Sequence, residues 1–276
     1  MKKVIPDIAV NLTTQLLKYE DIIISNSKSK KVLPIFIGTD YDSSILSLEK
    51  SKKYKTFCYI GLHPNSADKY EDLTRLKTLF DDINSKYIIG IGELGLDYNR
   101  NFTSKILQKK VFEKQLEYSK NMNLPYFFHC RDAFDDFFEI IDSLNYKIKG
   151  VIHSFDSNSL NIAKIIKRDF YIGINGLSCQ NIDIINDIPL NRLFVETDSP
   201  YCSLKNKSYV TKTFKGAKKS MNEPAKVCML VETISKIKKV EISEVVENLR
   251  KNFFDLFNVD LNKYEDNPEN FFNCEN

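Results

Sequence analysis

This 276-residue chain contains only three histidines, and each stands at or near the end of an apolar run. His63 falls at the end of "TFCYIGLHP" (56–64), His129 near the end of "PYFFHC" (125–130) and His153 late in "GVIHSF" (150–155). Two carboxylates occupy the same kind of place, Glu93 in "YIIGIGELGLD" (87–97) and Asp198 in "RLFVETDSP" (192–200). Imidazole nitrogens and carboxylate oxygens together suit divalent cations such as Mg²⁺, Mn²⁺ or Zn²⁺. The matching chemistry is hydrolysis, with a nucleophile made from water and a metal ion polarising the bond under attack. A single histidine at a strand end is more often a hydrogen-bonded part of the scaffold. The placing of all three at such positions is what favours a site. Cys130 beside His129 points to the opposite face of a strand and reads as packing.

These positions converge only if the runs are strands of one sheet. Eight runs rich in Ile, Val, Phe and Tyr occur: the five above, counting Glu93 and Asp198, and "IPDIAVNL" (5–12), "VLPIFIGT" (32–39) and "FYIGING" (170–176). Stretches of helical periodicity separate them, such as "TSKILQKKVFEKQLEYSKN" (103–121) with its stripe of Leu107, Val111, Leu116 and Tyr118. Eightfold alternation of strand and helix predicts a single-domain (β/α)8 TIM barrel. Barrel enzymes assemble their sites on the face where strands end, which is where all five polar residues fall. An open doubly wound sheet is the alternative, but "NLTTQLL" after the first run has no glycine for a phosphate loop. Past the eighth strand, "LKNKSYVTKTFKGAKKS" (204–220) is a polar, lysine-rich excursion. "EPAKVCMLVETISKIKKV" and "SEVVENLRKNFFDLF" then predict two extra C-terminal helices. The expected division is a barrel over residues 1–258 and a polar, weakly ordered tail over 259–276.

Composition excludes several classes. With 42% hydrophobic and 12% aromatic residues, the chain is neither disordered nor fibrous. Its 40 basic residues nearly balance 37 acidic ones, for a net charge of +3, so no strong global field draws it to polyanions. The six cysteines are scattered without a CxxC pair, which fits a reduced, intracellular setting. No run reaches the length of a membrane span, and "MKKVIPDIAVNLTTQ" lacks an apolar signal core. A soluble, cytoplasmic or nuclear protein without a membrane partner, monomeric, is the expectation.

"IIGIGELGLDYNR", "PYFFHCRDAF", "GVIHSFDSN", "YIGINGLS", "LFVETDSPYC" and "NEP" stand in the order and at roughly the spacing of the TatD family of metal-dependent deoxyribonucleases. The resemblance runs from about Asp7 to Phe257. It implies a barrel of the amidohydrolase-like superfamily that hydrolyses DNA phosphodiester bonds with one or two divalent ions. Residue by residue, Glu93 resembles the family's bridging carboxylate, and His129 and His153 resemble its histidine ligands. Asp198 resembles the aspartate that binds metal and orients or deprotonates the attacking water. His63 matches a histidine near the substrate phosphate. Arg131 is placed to meet a phosphate oxygen, with an ion pair to Asp132 or Asp135 as the lesser alternative. Asp97 reads as a loop cap. Asn222 and Glu223 of "NEP" suit either substrate contact or a helix N-cap ahead of Pro224.

Two departures from the family pattern matter. Many members begin Asp-x-His-x-His, where this chain has Ala9 and Asn11; one branch shares its start. An oxygen-richer site would prefer Mg²⁺ or Mn²⁺ over Zn²⁺, with Asp7 or Asn11 as further candidate ligands. Met221 stands where relatives often have an arginine, leaving Lys218 or Lys219 to hold a phosphate. With Lys205, Lys207, Lys212 and Lys215, interleaved with Tyr201, Tyr209 and Phe214, these lysines form a candidate DNA-binding segment or an ordinary solvated loop. A barrel mouth admits strand ends more easily than a continuous duplex, so single-stranded DNA and 3′ ends are the expected substrates, attacked in the 3′–5′ direction. Two other functions fit the same residues: a metallohydrolase acting on a small molecule or aminoacyl ester, and a non-catalytic nucleic-acid-binding barrel.

Overall fold

The structure, a computed structural model, describes residues 3–70, 74–81, 85–100, 102–204 and 221–265. Eight strands lie in chain order in one parallel sheet: β1 (Ile5–Val10), β2 (Val32–Ile37), β3 (Phe57–Ile60), β4 (Ile88–Asp97), β5 (Tyr126–Arg131), β6 (Gly150–Ile152), β7 (Tyr171–Ile174) and β8 (Leu193–Val195). A parallel bridge between Val10 and Ser199 brings the eighth strand back to the first. The fold is a nearly closed (β/α)8 barrel, as the alternation of patterns predicts. Helices α1 (Glu20–Ser29), α2 (Tyr41–Tyr54), α3 (Thr74–Asp81), α4 (Lys105–Ser119), α5 (Phe134–Asp142), α6 (Ser159–Lys167) and α7 (Ile182–Asp187) join the strands, and α8 (Val227–Lys238) and α9 (Ile242–Phe257) follow them.

Local chemistry sets the helix starts. Asp40 and Ser43 form a reciprocal capping box at α2, and the Ser104, Asn158 and Asn181 side chains accept backbone N–H groups at the starts of α4, α6 and α7. Strand β5 shows how the period of two builds the barrel and the site together. Phe127 points inward and stacks on Tyr59 with ring centroids 4.3 Å apart, and it packs against His153. Phe128 points outward onto Phe112 of α4 and Phe137 of α5. His129 shares the inward face with Phe127, so an aromatic floor lies beneath it. At the opposite end, Phe257 of α9 packs against Tyr59 and Phe194.

In β4, two glycines allow close approach to β5. A Cβ on Gly95, whose φ is +141°, would stand 1.9 Å from the carbonyl oxygen of His129. Gly95→Ala is therefore expected to destabilise the protein by about 3 kcal/mol or more, since neither backbone can yield. Urea denaturation against the wild type checks this; a loss under about 1 kcal/mol would mean that the strands part more easily than their register implies. The same strand shifts register between Ile91 and Leu94, and such an irregularity re-aims a side chain. Gly92 and Glu93 lie in that interval.

Candidate metal centre

Glu93, buried at 4% exposure, directs its carboxylate into the mouth of the barrel. Its Oε1 lies 2.7 Å from His153 Nε2, 2.8 Å from His129 Nδ1 and 3.4 Å from His63 Nε2. One oxygen, carried by β4, thus meets all three histidines of the chain: His129 on β5, His153 directly after β6 and His63 in the segment after β3. Donor atoms of Glu93, His129 and His153 all lie within 4.8 Å of one another, as do those of His63, Asp97 and His129.

The far side of each inner imidazole is also occupied. His129 Nε2 donates to Asp97 Oδ2 at 3.2 Å, and His153 Nδ1 donates to Glu196 Oε1 at 3.2 Å. In the neutral rings, with those protons facing outward, the inner nitrogens, 3.1 Å apart, are the positions beside Glu93 that either a second proton or a cation can take. Such an arrangement is stabilised by positive charge at its centre, and a carboxylate behind a ligating histidine is the usual means of fixing its tautomer. The donor set therefore fits a divalent cation.

Protonation follows the same electrostatics. Burial disfavours charge on His129 and His153, yet Asp97 and Glu93 around the first, and Glu93 and Glu196 around the second, raise both above the usual imidazole value. Burial also opposes ionisation of Glu93, and the neighbouring imidazoles overcome it and hold the carboxyl well below its ordinary range. Asp97 behaves alike: burial is outweighed by the hydrogen bonds from His129 and from the Arg100 backbone, which bring it to about 2. His63 goes the other way, lowered to about 3 chiefly by burial. Its Nδ1 accepts the Asn65 N–H at 3.0 Å, so the neutral ring carries its proton on Nε2, facing the site as a donor.

Asp198 lies in the same cleft but outside these tight groups. Its Oδ1 accepts from Asn11 Nδ2 at 2.9 Å and its Oδ2 from the Cys202 thiol at 3.0 Å. Burial chiefly raises its carboxyl to about 6; the charges of Glu196 and Glu93 add to this, while that of His153 opposes it. The residue adopts a left-handed φ of +48° at the turn after β8. The cleft, about 330 Å³, is also lined by Thr14, Thr39, Arg100, Arg131, Leu177 and Tyr201.

Several expected roles change. Asp7 does not line the cleft. Its carboxylate lies deeper, accepting from Thr197 N–H at 2.8 Å and Thr197 Oγ1 at 2.6 Å, and so ties β1 to the segment after β8. Asn11 reaches the cleft, but its amide donates to Asp198. Asn222 is buried, and its Nδ2 donates to the carbonyls of Thr197 and Tyr201, holding the loop after β8 from behind. The carboxylate facing Arg131 is Asp156, at a long 3.7 Å, rather than Asp132 or Asp135. Asp97 caps its loop as expected, accepting the N–H groups of Asn99 and Arg100, and in addition orients His129. Cys130 is buried with its thiol pushed well up by desolvation. Lys218, Lys219 and the rest of the lysine-rich stretch, with the last eleven residues of the tail, lie outside the described residues.

Glu196, which stands behind His153, is the residue at this site that sequence reasoning passed over. The signal that could have found it is a second carboxylate directly after the eighth apolar run, two residues before Asp198 in "VETDSP". Besides His153, its Oε1 accepts the Ser154 N–H at 2.6 Å. Glu196→Gln keeps the shape and loses the charge, and should raise the metal concentration needed for half-maximal activity about 10-fold. A metal titration of the wild type and variant tests it; equal half-saturation would leave Glu196 a purely structural group.

An eight-stranded barrel with imidazoles and carboxylates converging where its strands end defines a barrel hydrolase. The family described as "TatD related DNase" matches residues 6–258, and the chain belongs to it. A relative from Enterocytozoon bieneusi, named as a TATDN1 homolog, is 42% identical over 264 residues, covering 91% of this chain and 94% of its own. The "Deoxyribonuclease Tat-D" of Schizosaccharomyces pombe is 30% identical, with 86% of each chain covered. The crystal structure of a hydrolase TatD family protein from Entamoeba histolytica is similar with a TM-score of 0.83 at 26% identity, covering 93% of this chain and 99% of the other. Among the described residues no helix is long and apolar enough to cross a membrane.

Proposed function

We propose that this protein is a metal-dependent deoxyribonuclease that removes nucleotides from the 3′ ends of single-stranded DNA. The observation that carries the reading is the convergence of Glu93, His129 and His153 on one point of a cleft that also holds Asp198 and two arginines. A relative from Yersinia pseudotuberculosis, 34% identical over 208 residues and covering 71% of this chain and 79% of its own, is named a 3′-5′ ssDNA/RNA exonuclease, which supports both polarity and substrate class.

Glu93, His129, His153 and Asp198 would hold one or two divalent ions, Mg²⁺ or Mn²⁺ in preference to Zn²⁺ because of the oxygen share of the set. When bound, such an ion supplies polarisation of the phosphoryl oxygen and acidification of water. Asp198 accepts the proton of the attacking water, its carboxylate held by Asn11 and Cys202. His63 donates its Nε2 proton in a hydrogen bond to a phosphate oxygen, and Arg131 adds positive charge at the rim. Asp97 and Glu196 hold the outward N–H groups of His129 and His153, so that the inner nitrogens are the ones that would face an ion in place of a second proton.

Cleavage of 3′-labelled and 5′-labelled single-stranded oligonucleotides in EDTA, and with Mg²⁺, Mn²⁺ or Zn²⁺ added, tests the proposal. Shortening from the 3′ end that needs metal is the expected result. DNA left intact under every condition would overturn it and turn the search to small-molecule or acyl-ester substrates.

A further inference from the structure

The cleft has two unlike walls. On the side of β4 and β5 stand Arg100 and Arg131. The guanidinium of Arg100 has no ion-pair partner among the described residues, and Arg131 meets only Asp156, at 3.7 Å. Across the mouth, after β7 and β8, stand Leu177 and Tyr201, 40% and 53% exposed. Exposed apolar side chains are ordinary when they are scattered on mobile loops. Here both sit on turns pinned by buried asparagines. The Leu177 N–H donates to Asn175 Oδ1 at 2.9 Å, and Asn175 in turn donates to Ser154 Oγ at 2.7 Å. Tyr201 donates its N–H to the Asp198 carbonyl at 2.9 Å, and its own carbonyl accepts from Asn222. Asn175 is fully buried and Asn222 is 5% exposed.

We infer that Leu177 and Tyr201 form a base platform and that Arg100 and Arg131 form a backbone wall, so that one unpaired strand lies across the cleft with its phosphates toward β4 and β5 and its terminal bases toward β7 and β8. This rests on the nuclease reading for its substrate. The charge is complementary on one side only: guanidinium groups pair with phosphates, while nucleobase faces stack on aromatic and aliphatic surface without regard to sequence. Glu93, His129 and His153 lie between the walls, where a phosphate linking a stacked nucleotide to the rest of the strand would come to rest. In a duplex the base faces are buried against each other and the edges are paired, so the platform selects strands whose ends have already come apart. Tyr201 and Leu177 thus set specificity; they do not touch the reacting atoms.

The test compares a single-stranded DNA 12-mer with the same strand carrying tetrahydrofuran abasic sites at its three 3′-terminal positions. Binding is read by fluorescence anisotropy with the Glu93→Gln variant, and cleavage with the otherwise wild-type chain in Mn²⁺. Tyr201→Ala is expected to raise KM and Kd about 10-fold on the normal strand, and the penalty should shrink below about 2-fold on the abasic one. Tyr201→Phe should restore wild-type KM, and Leu177→Ala should show the same base dependence. Replacing Arg100 and Arg131 together by Ala should weaken both strands alike and flatten the salt dependence. Equal penalties for Tyr201→Ala on the two strands would overturn the platform even if the enzyme cleaves DNA. A chain that binds with this base dependence yet never cuts would overturn the nuclease reading alone, and one that neither binds nor cuts would overturn both.

Discussion

Glu93→Ala is expected to lower metal-dependent DNA cleavage on the order of 10⁴-fold, with the fold intact. Among the described residues, it is the carboxylate on which all three histidines converge. Its Oε1 stands within 3.4 Å of a nitrogen on each of His63, His129 and His153. Truncation leaves two inner nitrogens converging without the carboxylate that balances a cation, and the loss appears in kcat and metal affinity together. The barrel should survive, because the strand pairings and the aromatic floor are untouched; unchanged far-ultraviolet circular dichroism and a cooperative melt would verify that. Glu93→Gln offers a second, nearly isosteric variant should the alanine disturb packing. Either variant cleaving at more than a tenth of the wild-type rate would remove Glu93 from the centre of the mechanism.

Asp198→Asn should cost on the order of 10³-fold in kcat, because an amide cannot take the proton of water and binds a cation weakly. The pH profile provides a second readout. Burial raises this carboxyl to about 6 in the metal-free chain, so its basic form is lost as pH falls through that value. A bound dication works against burial and moves the midpoint downward. The acid limb of kcat/KM should therefore have its midpoint at or below pH 6, falling about tenfold per pH unit beneath it. A midpoint well above 6 would assign the base to another group. Stability readouts are expected to change little, since Asn11 can still donate to the amide oxygen.

Much of this was legible beforehand because a period of two or 3.6 is a local property. Eight apolar runs with helical stretches between them can hardly close except as a barrel. A side chain near the end of such a run faces the mouth wherever its neighbour two back faces the interior, as His129 does above Phe127. The type and rough place of Glu93, His129, His153 and Asp198 thus followed from the chain alone.

What only the tertiary structure decided is how each candidate is oriented and which partner holds it. His153 and Glu196 are 43 residues apart, and Asn11 and Asp198 are 187 apart, yet each pair is hydrogen-bonded. Nothing local distinguishes an aspartate that faces the cleft from one that faces a threonine: Asp7 lies in an apolar run and Asp198 at the end of another, and one is engaged by Thr197 while the other opens to the site. Asn222 reads as a substrate contact or a cap until the carbonyls of Thr197 and Tyr201 are seen behind it. Sequence set the residue types and the strand face each occupies, because those depend on alternation along one segment. Ring tautomers, the supporting carboxylates and the two walls of the cleft depend on strand register around the closed barrel, which comes into being only when the first strand meets the eighth.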